Sequence, residues 1–252
     1  MPKPSAHTYI NISTNLRLFG QEHQLSFRVP QKPCRWNDVL EQLQYLTDEV
    51  VSAGTAKTIR EGKPVSCGKG CGICCSQIVP ISEVEAFVLR DLIRHLPAMR
   101  RKIIYARFAT AQQHFEKVGL WSRLINPDAI SVEEYQDFSL EYFSYNIPCP
   151  FLDEGSCSIH PQRPLVCREY LVTNDPIACA NPGNGKVIDG VELPSSVSDA
   201  LKVSSRSNTK YGWVPMIAIL KWTENKAMIK QSAPGQELLR TIIESMTARP
   251  VT

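Results

Sequence analysis

Cys67-Gly68-Lys69-Gly70-Cys71-Gly72-Ile73-Cys74-Cys75 is the stretch that decides what kind of core this chain builds. Four thiols fall within nine residues, with three, two and no residues between them. The glycines let the backbone turn tightly enough for several sulfurs to converge, which is what a thiophilic metal or an iron–sulfur cluster requires of a polypeptide. A second set follows at Cys149, Cys157, Cys167 and Cys179, so eight of the nine cysteines form two groups and Cys34 stands apart. Free cysteine packs well in apolar cores, but that reading covers one or two positions, not four among glycines. Cys74 and Cys75 are adjacent and cannot easily serve one tetrahedral ion, so they are expected to point different ways.

The compartment decides how thiols are read. The first residues lack the charged, apolar and small-residue succession of a signal peptide, and the longest apolar runs, such as Pro215–Leu220, are far short of a membrane span. A cytoplasmic, reducing location is therefore expected. There, clustered cysteines bind metal or do redox chemistry rather than form disulfides. A hydrophobic share of 43% with 21% charged residues is an ordinary globular balance, and a net charge of +3 names no partner.

Outward from the thiols, the pattern is mainly α. The expected fold is a helical domain with an irregular cysteine-rich metal-binding core and a short N-terminal β-hairpin. Alternation at Thr8–Ile12 and Leu25–Val29 around Gly20 gives the hairpin over residues 1–30. Residues 31–180 form the helical cysteine-cluster domain. Residues 181–252 are read as a loop and C-terminal helices packing on it. Helices are expected from Trp36, capped by Asn37 or Asp38; from Ser82, with Glu85 completing a capping box; from Pro97; and over 132–145 behind Ser131. A small hairpin turning at Asp153–Gly155 would draw Cys149 and Cys157 together. Pro164 opens a helix that places Cys167 near its positive N-terminal end. A Gly/Pro/Asn-rich loop over 180–194 precedes helices over 195–206, 213–224 and 236–247.

The expected metal-ligating set is Cys67, Cys71, Cys74, Cys75, Cys149, Cys157, Cys167 and Cys179. Arg163 and Arg168 flank Cys167 and are the candidate cofactor-binding cations, neutralising thiolate charge. His160 could complete a mixed site, though packing or hydrogen bonding is the commoner role of such a histidine. The spacing Cys67-x3-Cys71-x2-Cys74 also occurs in radical S-adenosylmethionine enzymes, but helices rather than alternating strands and helices follow it here. The basic segment from Arg90 to Arg107 has helical apolar spacing and reads as the outer faces of core helices, so nucleic acid is not expected.

Cys67 to Cys75, followed by Cys149-Pro150-Phe151-Leu152 and by Gly155 through Tyr170, resembles the YkgJ-type cysteine-cluster family, whose shared region is a zinc- or iron-chelating CxxCxxCC domain. The resemblance covers about residues 64–180. The first gap here is three residues where the nominal motif has two, which bears on Cys67. The same cysteine pattern is similar to that of bacterial flagellin lysine N-methylases, and this implies an iron–sulfur cluster as the bound group, with zinc or mononuclear iron as alternatives. The expected function is metal binding with a redox, sensing or cluster-handling role. An iron–sulfur-dependent enzyme akin to those methylases, or a zinc-stapled interaction module, are the competing readings.

Overall fold

Alternating apolar side chains at the N-terminus build the first element. The computed structural model describes residues 8–68, 70–180 and 188–247. Strands β1 (Tyr9–Leu18) and β2 (Gln21–Pro30) pair antiparallel, with Ile12 opposite Phe27. Phe19 (φ 48°) and Gly20 (φ 78°) both take left-handed conformations, the tight turn whose twist suits a two-residue hairpin. β3 (Pro33–Cys34) leads into α1 (Trp36–Arg60). The residue before the helix is Arg35, not Asn37 or Asp38 as expected. Asp38 works one turn later, its carboxylate accepting from the Arg35 N–H at 2.9 Å.

The cysteine run then leads through β4 (Pro80–Ser82) into α2 (Glu83–His95), and α3 (Ala98–Lys117), α4 (Trp121–Ile125) and α5 (Tyr135–Ser144) follow. The Ser82–Glu85 capping box forms in both directions, at 3.2 and 2.9 Å. α5 starts later than the sequence pattern indicated. Ser131 and Glu134 instead bond reciprocally in a turn of their own just ahead of it. The small hairpin is present as β5 (Leu152–Asp153) and β6 (Ser156–Cys157), turning on Glu154 (φ 47°) and Gly155 (φ 76°). α6 (Leu165–Glu169) and α7 (Val197–Ser204) come next, then β7 (Trp213–Pro215), α8 (Ile219–Trp222), β8 (Ala233–Pro234) and α9 (Gly235–Thr247).

A further expectation fails. Residues 213–224 are not one helix, since β7 pairs antiparallel with β4 before α8 begins. Pro215 removes an N–H and disfavours helix at the residue before it, while an apolar run buried on every side reads alike for strand and helix. The loop expected over 180–194 falls partly outside the described residues. Among the described residues no helix is long and apolar enough to cross a membrane.

Three apolar clusters hold these elements. In the first, Leu16, Leu25 and Phe27 of the hairpin pack with Leu43 and Leu46 of α1, Leu201 of α7 and Ile242 of α9. The second joins α2 and α3 through Phe87, Ile93 and Phe108 to Phe151 and Trp222, with Cys149 and Cys157 at its edge. The third gathers Phe115, Trp121, Phe138 and Tyr142. Each fully buried side chain of this size contributes about 1.5–3 kcal/mol.

Glu83 is only 2% exposed. Its carboxylate accepts from the backbone N–H groups of Ser207, Asn208 and Thr209, and from the Asn208 and Thr209 side chains, at 2.7–3.2 Å. Glu83→Ala would strand these donors. We expect a loss of about 3 kcal/mol in chemical denaturation. A loss within experimental error would show that the loop over 207–209 is held by something else.

Candidate metal centre

The sequence between Cys67 and Cys75 is too glycine-rich for regular structure, and only one short helical turn forms, at Ile73–Ser76. It packs against a second turn, Pro176–Ala180, which carries Cys179. The Cys75 carbonyl accepts from the Cys149 N–H at 2.7 Å, which joins the first group to the second. Glycine is needed at that contact. A Cβ on Gly72 would stand 2.5 Å from Leu152 Cδ1 and 2.8 Å from the Gly155 carbonyl oxygen.

Electrostatics link all eight clustered thiols. Cys74 is hydrogen-bonded to Cys75 and acts on Cys67, Cys149, Cys157, Cys167 and Cys179. Cys71 joins through Cys67 and Cys179. Burial, with the neighbouring thiols, favours the neutral form of Cys67, Cys149, Cys157, Cys167 and Cys179. The Cys75 hydrogen bond, followed by burial, pushes Cys74 far up. Burial takes Cys149 to about 12. It also raises Cys167 well above its ordinary value, which outweighs the favourable helix N-terminus expected there. No disulfide joins any of the nine cysteines.

Several backbone N–H groups point at sulfur. Val172 donates to Cys67 Sγ at 3.3 Å. Phe151 and Leu152 serve Cys149, and Ile159 serves Cys157; each donor favours the thiolate. The Tyr170 hydroxyl donates to Cys179 while accepting from Gln77 at 3.4 Å. Sulfur-directed amides and thiols from two loops are the donor set that zinc or an iron–sulfur cluster takes. Among the described residues no three His, Cys, Asp or Glu side chains already stand in closed coordination geometry. The thiols thus share a neighbourhood without having closed on one point.

The two arginines divide. Arg163 is the cation beside the thiols. It acts on Cys74 and Cys157, burial and Arg168 lower its own pKa, and its Nε is buried without a hydrogen-bond partner. Arg168 turns the other way. It is clamped by both carboxylate oxygens of Asp48 on α1, at 2.9 and 2.8 Å, and donates to the Pro161 and Arg163 carbonyls. His160 is exposed and contacts Arg163 through Nε2. Cys34 is buried in the first cluster, donates weakly to the Ala233 carbonyl and is pushed up to about 11 by burial and then Asp38.

Sequence reasoning missed what orients α6. Glu85 accepts from the Leu165 N–H at 2.7 Å, Asp48 clamps Arg168, and Glu169 accepts from Ser196 and Ser198 at 2.5–3.1 Å. Of these only Glu85 carried a local signal, as a cap.

Gly72→Ala is expected to cost about 1–3 kcal/mol by forcing the two cysteine loops apart. Gly68→Ala is the control, because nothing lies within 4 Å of a Cβ there. Equal thermal midpoints for the two variants would remove the close approach as a constraint.

No curated protein matches the chain, and no solved structure matches it. Residues 66–184 match the model of the CxxCxxCC family, described as "Putative zinc- or iron-chelating domain". Cys67, Cys71, Cys74, Cys75, Cys149, Cys157, Cys167 and Cys179 all lie within the match. Residues 66–184, the part of the chain that bears both cysteine groups, are what this chain shares with the CxxCxxCC family.

Proposed function

We propose that this protein holds an iron–sulfur cluster through its two cysteine groups and serves a redox, sensing or cluster-handling role. The observation that carries the reading is the single electrostatic neighbourhood of eight thiols centred on Cys74. One tetrahedral zinc uses four ligands, so eight thiols linked into one neighbourhood favour a polynuclear group. When bound, the cluster supplies one-electron chemistry. Cys67, Cys71, Cys74, Cys75, Cys149, Cys157, Cys167 and Cys179 are the thiols that would hold it.

The remaining residues tune that set. Arg163 offsets thiolate charge from beside Cys74 and Cys157. Arg168 acts at one remove, fixing α6 against α1 so that Cys167 keeps its position. The backbone amides of Val172, Phe151, Leu152 and Ile159 stabilise negative sulfur.

Protein purified without oxygen is expected to be brown, with acid-labile sulfide near the iron content. Colourless protein with whole-number zinc and no sulfide would replace this reading with a zinc-stapled module. Cys71→Ser and Cys157→Ser should lower the same metal signal, since both groups serve one centre. Full occupancy in Cys157→Ser would separate the groups. Cys34→Ser should leave metal content unchanged.

Metal affinity should depend steeply on pH. The raised thiol pKa values mean that the metal-free site carries protons at neutral pH, and ligation requires thiolate. Loading therefore releases protons, and affinity rises with pH below the thiol pKa values. Competition with a chelator between about pH 6 and pH 8 measures this, at about tenfold per pH unit for each proton released. A flat profile would rule out binding by these protonated thiols.

A further inference from the structure

Away from the thiols, a cleft of about 740 Å³ opens between α7, α9 and the residues around Tyr135 and Trp213. Its volume falls in the range of about 300–1,000 Å³ typical of small-molecule sites. Aromatic and charged groups line it together, which is the composition of a site that both stacks and orients a ligand.

Tyr135, Tyr211 and Trp213 supply the aromatic wall. Tyr135 and Trp213 meet edge to face, with centroids 5.6 Å apart. Among the described residues no partner takes the Tyr135 hydroxyl, whereas Tyr211 is engaged by Lys210, whose Nζ stands 4.8 Å from its ring centroid. Val132 adds a large apolar side chain at the cleft, 69% exposed.

The charges are unbalanced. Lys202 is nearly buried and its Nζ is paired with Asp199 at 2.8 Å, so the two neutralise each other. Arg206 has no carboxylate partner among the described residues, and its sole hydrogen bond is a 3.5 Å contact to the Lys210 carbonyl. The cleft thus presents one uncompensated guanidinium together with an edge-to-face pair of rings. A guanidinium recognises carboxylate, sulfonate or phosphate oxygens with two donors, and aromatic edges recognise a flat ring.

We infer that this cleft is a binding site for a small planar aromatic anion, with the ring against Tyr135 and Trp213 and the anionic group on Arg206. The site is separate from the cysteines, and its test needs no metal.

The probes are 8-anilinonaphthalene-1-sulfonate, which has the stated chemistry, and N-phenyl-1-naphthylamine, its neutral counterpart. Each is titrated by fluorescence against the full chain as purified. The sulfonate should bind at one saturable site. Arg206 is exposed, so Arg206→Gln should fold normally; it should weaken the sulfonate about tenfold and leave the neutral amine unchanged. Val203→Trp, which fills the cleft, should abolish both, and Val132→Trp at the exposed rim serves if that variant fails to fold. Wild-type sulfonate affinity in Arg206→Gln, or in a folded cleft-filling variant, would overturn the assignment. Equal weakening of both probes by Arg206→Gln would overturn the anion contact.

Discussion

Two carboxylates in the first turn of α2 stand at the centre of this architecture. Glu83 and Glu85 are both nearly buried, and both are satisfied mainly by N–H and O–H donors. A helix N-terminus favours such charges, and a buried carboxylate with a full set of donors holds its partners firmly. Glu83 gathers the loop over 207–209, while Glu85 both caps its own helix and holds the Leu165 N–H of α6. One helical turn thus joins the cysteine run, the Cys167 helix and the C-terminal third of the chain.

The thiols are arranged against their own electrostatics. Crowded and desolvated, Cys74, Cys149 and Cys167 keep their protons, and a neighbouring thiolate would make each ionisation harder. What favours negative sulfur comes from other parts of the structure: amide donors from the turns after Cys149 and Cys157, the Val172 N–H, the Tyr170 hydroxyl and the Arg163 guanidinium. These contributions orient and bias the sulfurs, and a cation would complete them. The match of residues 66–184 to the CxxCxxCC family model accords with that unbalanced state.

Much of this was legible in the residues. The hairpin, the Ser82–Glu85 box and the Asp153–Gly155 turn are local signals, and each is where the chain indicated. The grouping of eight cysteines was also plain, as was the isolation of Cys34. Long-range features were not legible. Nothing near Arg168 announces Asp48, and its flanking of Cys167 pointed toward the thiols when the side chain faces α1. The β4–β7 pairing was hidden because short buried strands lack alternation and Pro215 obscures the run. Backbone amides that face sulfur leave no trace in side-chain identity.

The 2.7 Å bond from the Cys149 N–H to the Cys75 carbonyl closes a large detour. Everything from α2 to α5 leaves the thiols at one point and returns to the same point. The entropy lost in closing such a loop grows only with the logarithm of its length. Here the apolar packing of the helices already bears that loss. An excursion whose two ends nearly touch is tolerant of resizing, as exposed loops are. Its helices could be lengthened, trimmed or exchanged during descent while the sulfur-bearing turns kept their spacing, so relatives could differ widely in length between the halves of the motif and still present the same eight thiols.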